Sequence, residues 1–243
     1  ARGERGQRAP DPAREHLASR WLQRAGLTPE GLGVLQRRYA QEVAFADGEV
    51  GRLLALLDRG SLAGRTAVAV TADHGESFLE HGHLRHCRSL HEEEVRVPLM
   101  LRLPAGAAGR GGRRIAAPVT LLDVAPTLLE LAGAAPRSLR GVEGSSLLGR
   151  LDPAHRPATR PAAPPVVAVA GTWSAVVAGR HKLLRDAAGG ETRLYDLAAD
   201  PAELHDLAAE RPQLTERLER RLQPTSPAAA AHLQRLQALG YLR

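Results

Sequence analysis

The sequence is poor in residue types that mark several protein classes. Of its 243 residues one is cysteine and 3% are aromatic, and lysine occurs once, at Lys182, among 33 basic residues. The single cysteine, Cys87, excludes an intrachain disulfide and does not indicate a redox compartment. No apolar run approaches the roughly 20 residues that span a bilayer, so we expect no membrane-spanning segment in this chain.

The charge balance favours an anionic partner over a nucleic acid. The formal net charge is +6, which suits an anionic substrate as well as DNA or RNA. The arginines are scattered, however, and neither stacking aromatics nor a known nucleic-acid module accompanies them, so we expect no nucleic-acid partner. The chain begins without methionine or a signal-peptide pattern; we therefore expect the true N-terminus to lie upstream, and localisation stays open.

Composition and hydrophobic period divide the chain into four predicted parts. They are an N-terminal surface segment (1–34), an α/β region (35–150), a Pro/Gly-rich linker (151–165) and a small α+β subdomain (166–243). In the α/β region we predict helices over 33–57 and 120–131, a buried parallel strand over 66–71 and a second buried strand over 97–103. In the subdomain we predict antiparallel strands over 166–170, 173–177, 181–185 and 192–197, then helices over 211–222 and 229–239.

Polar residues follow the strand predicted at 66–71. Asp73 and His74 come directly after it, where functional residues of α/β sheets gather. A carboxylate and an imidazole can bind a divalent cation, but an aspartate there can equally cap a helix. Further on, His81 and His86 could donate protons or contact an anion, or could be ordinary loop residues. We expect residues 92–94 (EEE) to form a solvated turn or helix start.

A series of ordered motifs resembles the sulfatase family of the alkaline phosphatase superfamily. Its strongest member is TADHGE at residues 71–76. The others are EHG (80–82), RSLHEE (88–93), RVPL (96–99), LDVAPTLL (122–129), GVEGSSLL (141–148), LYDLAADPAE (194–203) and LQALGYL (236–242). The order and the intervals match the family's pattern over roughly residues 35–243.

The resemblance implies a fold class and a chemistry. The fold would be α/β, with a mixed, mainly parallel sheet sandwiched by helices and a small C-terminal antiparallel-sheet subdomain. The reaction would be hydrolysis of a small anionic sulfate monoester with a divalent metal, most often Ca²⁺, with Mg²⁺ or Mn²⁺ as alternatives. The family's nucleophile is a formylglycine made within a Cys/Ser-x-Pro-x-Arg motif. No such motif occurs in this sequence, and we expect it upstream.

The resemblance also assigns residues by motif position. Asp73 and His74 match the second pair of metal ligands. His86 falls where the family places a Lys or His near the sulfate and the leaving group, and His81 matches the histidine of the EHG motif. Asp123 matches a position that we interpret as structural.

Two other functions stay open. The chain could belong to a phosphodiesterase, phosphonate hydrolase or phosphoethanolamine transferase of the same superfamily, because the nucleophile separates these activities. It could also be a non-catalytic fragment or a pseudoenzyme. Without the nucleophile, we expect the 243 residues alone to be inactive or nearly so; the oligomeric state is not indicated.

Overall fold

A computed structural model describes residues 22–24, 26–60, 62–86, 88–104, 112–134, 142, 144–151 and 165–222. Most of the predicted linker, residues 1–21 of the predicted surface segment and the helix predicted over 229–239 lie outside these residues, so those parts stay predictions. The elements in chain order are helix α1 (Pro29–Arg59), β1 (Val68–Thr71), β2 (Ser77–Phe78), β3 (Leu84–Arg85), α2 (Glu92–Val95), β4 (Leu99–Arg102), α3 (Val124–Leu131), α4 (Leu148–Leu151), β5 (Val166–Ala170), β6 (Trp173–Ala178), β7 (His181–Asp186), β8 (Thr192–Asp196) and α5 (Pro212–Leu222).

Helix α1 begins and ends on local signals. The Thr28 hydroxyl accepts the Gly31 N–H at 3.1 Å and Pro29 occupies the first turn, where its missing N–H costs nothing. Gly60 closes the helix with its N–H on the Leu57 carbonyl. None of its 31 residues is buried, and no helix of the described part is long and apolar enough to cross a membrane.

The strand predicted as buried and parallel differs from the prediction in both respects. β1 pairs antiparallel with β4, Val70 opposite Met100, and none of its four residues is fully buried. A short apolar run does not encode the direction of its partner, because both pairings present the same alternating side chains. The second strand starts at Leu99 because Pro98 has no N–H to give the ladder; its carbonyl instead accepts the Thr71 hydroxyl at 2.8 Å.

The C-terminal antiparallel sheet confirms the predicted subdomain. Its strand order is β5-β6-β7-β8, each strand beside its sequence neighbour. Side chains alternate between two buried faces, as the period of two requires. One face packs against α5 through Val176, Leu183, Leu194 and Leu218, and the other packs against the α2 segment through Leu90, Ala175, Leu184 and Tyr195.

Helix α3 shows why Asp123 belongs to the fold. A short 3₁₀ turn, Leu121–Asp123, precedes the helix, and Thr120 and Asp123 form a capping box around it. The second Asp123 oxygen accepts the Ser145 N–H at 2.8 Å. Asp123 therefore joins the helix start to the loop at 144–146, which agrees with the structural role expected from its motif.

Candidate active site

The end of β1 brings together three of the four residues that the sequence singled out. Asp73 is widely exposed, with 89% of its side chain accessible, and its Oδ1 accepts the His74 N–H at 3.0 Å. His74 places Nδ1 2.8 Å from the Gly75 carbonyl oxygen. A carbonyl only accepts, so Nδ1 donates to it, and in the neutral imidazole Nε2 keeps its lone pair.

His86 joins this group by ring stacking. Its imidazole lies on that of His74 with centroids 4.1 Å apart and an interplanar angle of 28°. Its Nδ1 lies 3.1 Å from Glu76 Oε2, and this contact engages Nδ1 and leaves Nε2 as the nitrogen that can meet a ligand. We call Asp73, His74, Glu76 and His86 the strand-end cluster.

The backbone of helix α2 supports the loop that carries the strand-end cluster. The Gly75 N–H donates to the Glu94 carbonyl at 2.7 Å. A Cβ at Gly75 would collide with the Glu93 carbonyl oxygen, so only glycine permits this close approach. The buried Glu94 carboxylate accepts the hydroxyls of Ser77 and Ser89, both at 3.0 Å, and the Arg88 N–H at 3.1 Å.

His81, the fourth predicted site residue, lies in a different and largely buried environment. Its Nδ1 lies 2.7 Å from Glu93 Oε1, and its Nε2 lies 3.2 Å from the Glu203 carbonyl oxygen. Its ring stacks on His91 with centroids 3.7 Å apart and an angle of 6°. Both nitrogens face acceptors, so the doubly protonated imidazolium satisfies both contacts. This bonding favours a positioning role over proton transfer to a substrate.

Two sets of donors could be considered for a metal. His81, His91 and Glu93 offer ligand atoms within 4.8 Å of one another. Their two rings are nearly parallel, however, so the in-plane lone pairs run side by side and do not converge on one ion. In the strand-end cluster, His74 Nε2 and Asp73 Oδ2 are 3.8 Å apart, the separation of two ligands about 2.0–2.6 Å from a common cation. Asp73 and His74 therefore fit a metal better.

Helix α2 is not the solvated helix start that its three glutamates suggested. Glu94 is buried, and Glu92 and Glu93 are partly buried. Each carboxylate has its own cationic or polar partner: Lys182 for Glu92, His81 for Glu93 and the Ser77–Ser89 pair for Glu94. The prediction that these carboxylates are solvated is wrong, because a run of charged residues does not show which partners distant segments of the chain supply.

Burial and nearby charges shift the pKa values of the stacked histidines in opposite directions. Burial lowers the pKa of His91 to about 2, and the positive charges of His81, Lys182 and Arg193 and the ring of His83 act in the same direction. Burial also opposes protonation of His81, but the Glu93 carboxylate and the Glu203 carbonyl outweigh it and raise the His81 pKa. Neither ring nitrogen of His91 has a hydrogen-bond partner among the described residues.

Acid is expected to destabilise the protein through His91. The unfolded chain binds a proton on this residue near pH 6.5 and the folded chain only near pH 2, so stability falls as pH drops through that window. Between pH 6.5 and 4.5 the loss from His91 is roughly 2–3 kcal/mol. His81 acts in the opposite sense: its contribution is complete below pH 6.5 and is lost as pH rises through its folded pKa.

The measurement is urea unfolding at pH 4.5, 5.5 and 6.5 for the wild type and His91→Tyr. Tyrosine has no group that titrates in this range, so the acid loss should shrink in the variant. His205→Tyr is the control, because the His205 side chain is 72% exposed and its replacement should leave the pH profile unchanged. Equal acid losses in the wild type and His91→Tyr would contradict the assignment.

Sequence reasoning left several members of these networks unassigned. Glu76, Glu93, Glu94, Lys182 and Glu203 all contact predicted site residues or their supports. One signal was present: the chain has a single lysine among its 33 basic residues, at position 182. Arginine's planar fork needs more room than the compact ammonium of a fully buried Lys182.

Comparison with known proteins identifies the family. The model of the sulfatase family matches residues 10–134, and that of the C-terminal region of N-sulphoglucosamine sulphohydrolase matches residues 79–227. Arylsulfatase K of Xenopus laevis is 33% identical over 125 residues, which is 51% of this chain and 23% of that protein. Choline-sulfatase of Rhizobium meliloti (strain 1021) is 33% identical over 131 residues, 54% of this chain and 25% of that protein.

Solved structures give the same fold. BT1596, a 2-O GAG sulfatase, superposes with a TM-score of 0.75 at 21% identity over 89% of this chain and 48% of its own. BT4656, solved with its substrate D-glucosamine-2-N,6-O-disulfate, gives a TM-score of 0.64 at 27% identity over 78% of this chain and 40% of its own.

These matches cover about a quarter of the curated relatives and under half of the solved chains. The chain thus spans only part of the length of its relatives, and both family models match within it. Each model covers more than half of the 243 residues. The chain belongs to the sulfatase family, within the alkaline phosphatase superfamily, and carries its α/β fold with a C-terminal antiparallel sheet.

Proposed function

We propose that this chain supplies one side of the active site of a metal-dependent sulfatase that hydrolyses sulfate monoesters. Asp73 and His74 would hold a divalent cation, with Ca²⁺ favoured and Mg²⁺ or Mn²⁺ as alternatives. The observation that carries the proposal is the strand-end geometry: His74 Nδ1 is bound to the Gly75 carbonyl, which leaves Nε2 3.8 Å from Asp73 Oδ2. Membership of the sulfatase family supports the sulfate ester as substrate.

The metal, when bound, would neutralise charge on the sulfate oxygens and so lower the barrier to attack. The chain's own residues have separate tasks. Asp73 and His74 bind the ion, and Glu76 fixes the His86 ring through Nδ1. His86 Nε2 would then donate a proton to the leaving oxygen or contact the sulfate anion. The nucleophile would come from polypeptide outside these 243 residues, which contain no formylglycine motif.

Two aryl substrates distinguish this function from other activities of the superfamily. In the protein that includes the nucleophile, we expect metal-dependent hydrolysis of 4-nitrophenyl sulfate to exceed that of the phosphodiester bis(4-nitrophenyl) phosphate. Preference for the phosphate would instead support a phosphodiesterase or phosphonate hydrolase. The absence of both activities together with no Mn²⁺ binding would support a non-catalytic protein.

His86→Gln should lower kcat by about 10²–10⁴ if His86 is the general acid. The loss should be larger for an alkyl sulfate than for 4-nitrophenyl sulfate, because a poor leaving group needs the proton more. Glu76→Gln should lower kcat in the same pattern but by about 10–100-fold, since it acts through His86. His205→Gln, at an exposed histidine, is the matched control. Equal losses on both substrates would exclude proton donation and leave anion contact.

A further inference from the structure

Glu203 contacts three residues that support the candidate site. It lies in the turn after β8 and is 2% exposed. Its Oε2 accepts the Glu92 N–H at 2.6 Å, its Oε1 forms a 2.9 Å ion pair with Lys182 Nζ, and its carbonyl oxygen faces His81 Nε2 at 3.2 Å. One residue of the C-terminal subdomain thus contacts helix α2, strand β7 and the EHG histidine.

The backbone at Glu203 is held in an unusual conformation. Its φ is +53°, a left-handed value that disfavours residues other than glycine. Asp200 rigidifies this turn, since its Oδ2 accepts the N–H groups of Leu204 at 2.7 Å and His205 at 2.8 Å. Such strain persists only where surrounding contacts fix the chain, and it concentrates at sites where position matters.

A continuous series of contacts runs from Glu203 to the strand-end cluster. Glu203 binds the first N–H of helix α2, at Glu92. Two residues further along that helix, Glu94 accepts the Gly75 N–H through its carbonyl and the Ser77 hydroxyl through its carboxylate. Gly75 follows His74 directly and Ser77 follows Glu76, so a shift of α2 moves both ends of the cluster.

We propose that Glu203 is a positioning residue: it clamps helix α2 so that the C-terminal subdomain sets the geometry of the strand-end cluster. The metal part of this proposal rests on the proposed function, whereas the clamping does not. The subdomain is then part of the active-site framework. Loosening the contact of the subdomain with helix α2 would alter metal affinity before it altered the fold of the subdomain's own sheet.

The experiment compares Glu203→Ala, Glu203→Gln and Leu194→Ala in the 243-residue chain. Alanine removes the acceptor for the Glu92 N–H, while glutamine keeps an acceptor oxygen of the same reach. Leu194→Ala opens a cavity on the opposite face of the sheet, in the cluster around Val176, Leu183 and Leu218. It serves as a control for lowered stability alone.

Two readouts are measured: hydrogen–deuterium exchange by mass spectrometry, and Mn²⁺ affinity by calorimetry. For Glu203→Ala we expect exchange about tenfold faster in residues 75–95 than in the wild type, with residues 173–196 little changed. The Mn²⁺ Kd should rise about tenfold, as for other residues that orient metal ligands. Glu203→Gln should restore most of both values.

Hydrogen exchange that accelerates uniformly in all three variants would overturn the clamp, because Glu203 would then contribute only to stability. Unchanged exchange at residues 75–95 in Glu203→Ala would also overturn it. If the wild type binds no Mn²⁺ at all, Asp73 and His74 do not suffice for a metal site in this chain, and the exchange data still decide the clamp. Selective loosening of 75–95 in Glu203→Ala, absent from Leu194→Ala, supports the clamp in either case.

Discussion

Lys182→Met is expected to lower the free energy of unfolding by about 3–5 kcal/mol, because it leaves buried carboxylates without their counter-charge. The Lys182 side chain is 0% exposed, and its Nζ lies 2.9 Å from Glu92 Oε1 and 2.9 Å from Glu203 Oε1. The contact between Lys182 Nζ and Glu203 Oε1 is an ion pair that does not have the geometry of a hydrogen bond. Burial raises the Glu203 pKa despite the opposing effect of Lys182, which shows how strongly this carboxylate depends on its partner.

Urea unfolding at pH 7 measures the loss. Arg185→Met is the matched control, since Arg185 lies on the same strand but is exposed, and we expect a change within about 0.5 kcal/mol. The triple variant Lys182→Met, Glu92→Gln, Glu203→Gln removes all three charges and should recover most of the stability, because apolar and neutral groups tolerate burial better than an unpaired charge. A Lys182→Met loss no larger than that of Arg185→Met would show that the ion pairs contribute little.

Asp73→Ala is expected to weaken Mn²⁺ binding by at least about 100-fold, more than the 10–100-fold typical of residues that only orient metal ligands. Asp73 provides the only carboxylate among the proposed ligands of this chain, and hard divalent ions depend on charged oxygen donors. His74→Ala should weaken binding less, because it removes a neutral ligand. Calorimetric titration of the 243-residue chain with MnCl₂ measures both.

Glu80→Gln controls for nonspecific binding to acidic side chains, because Glu80 is an exposed carboxylate on the same segment. Its affinity should equal that of the wild type, since the Phe78 N–H that Glu80 accepts at 2.5 Å can be accepted by a glutamine oxygen. Asp73→Ala should leave the thermal midpoint without metal unchanged, because 89% of the Asp73 side chain is exposed. Unchanged Mn²⁺ affinity in Asp73→Ala would place any metal elsewhere.

We expect the two clusters around helix α2 to have different roles, one in chemistry and one in support. The strand-end cluster is open: Asp73 is exposed, and the His86 side chain is 43% exposed, as a substrate requires. The second cluster consists of His81, His91, Lys182 and Glu203. It is largely buried, and its charged members pair with one another or with Glu92 and Glu93. We therefore expect the motif histidine His81 to support the site, although its motif placed it among the candidate catalytic residues.

Local patterns predicted the C-terminal sheet within a residue or so. All four strands, their alternation and the helix at Pro212–Leu222 follow from β-rich runs between glycine turns and from an amphipathic helical period. In such a meander each strand pairs with its sequence neighbour, so short-range signals are sufficient. The direction of β1 was not predictable in this way, because its partner β4 lies about thirty residues further along the chain.

The sequence by itself determined the family and the residues at the end of β1, because in motifs such as TADHGE the characteristic residues are adjacent in the chain. It determined neither the burial nor the partners of charged residues. Whether Glu92 faces water or Lys182, and whether His81 faces a substrate or Glu203, depends on contacts across 90 and 122 positions. Only the tertiary structure decides these contacts, because the free energy of a buried charge depends on the groups that replace the water around it.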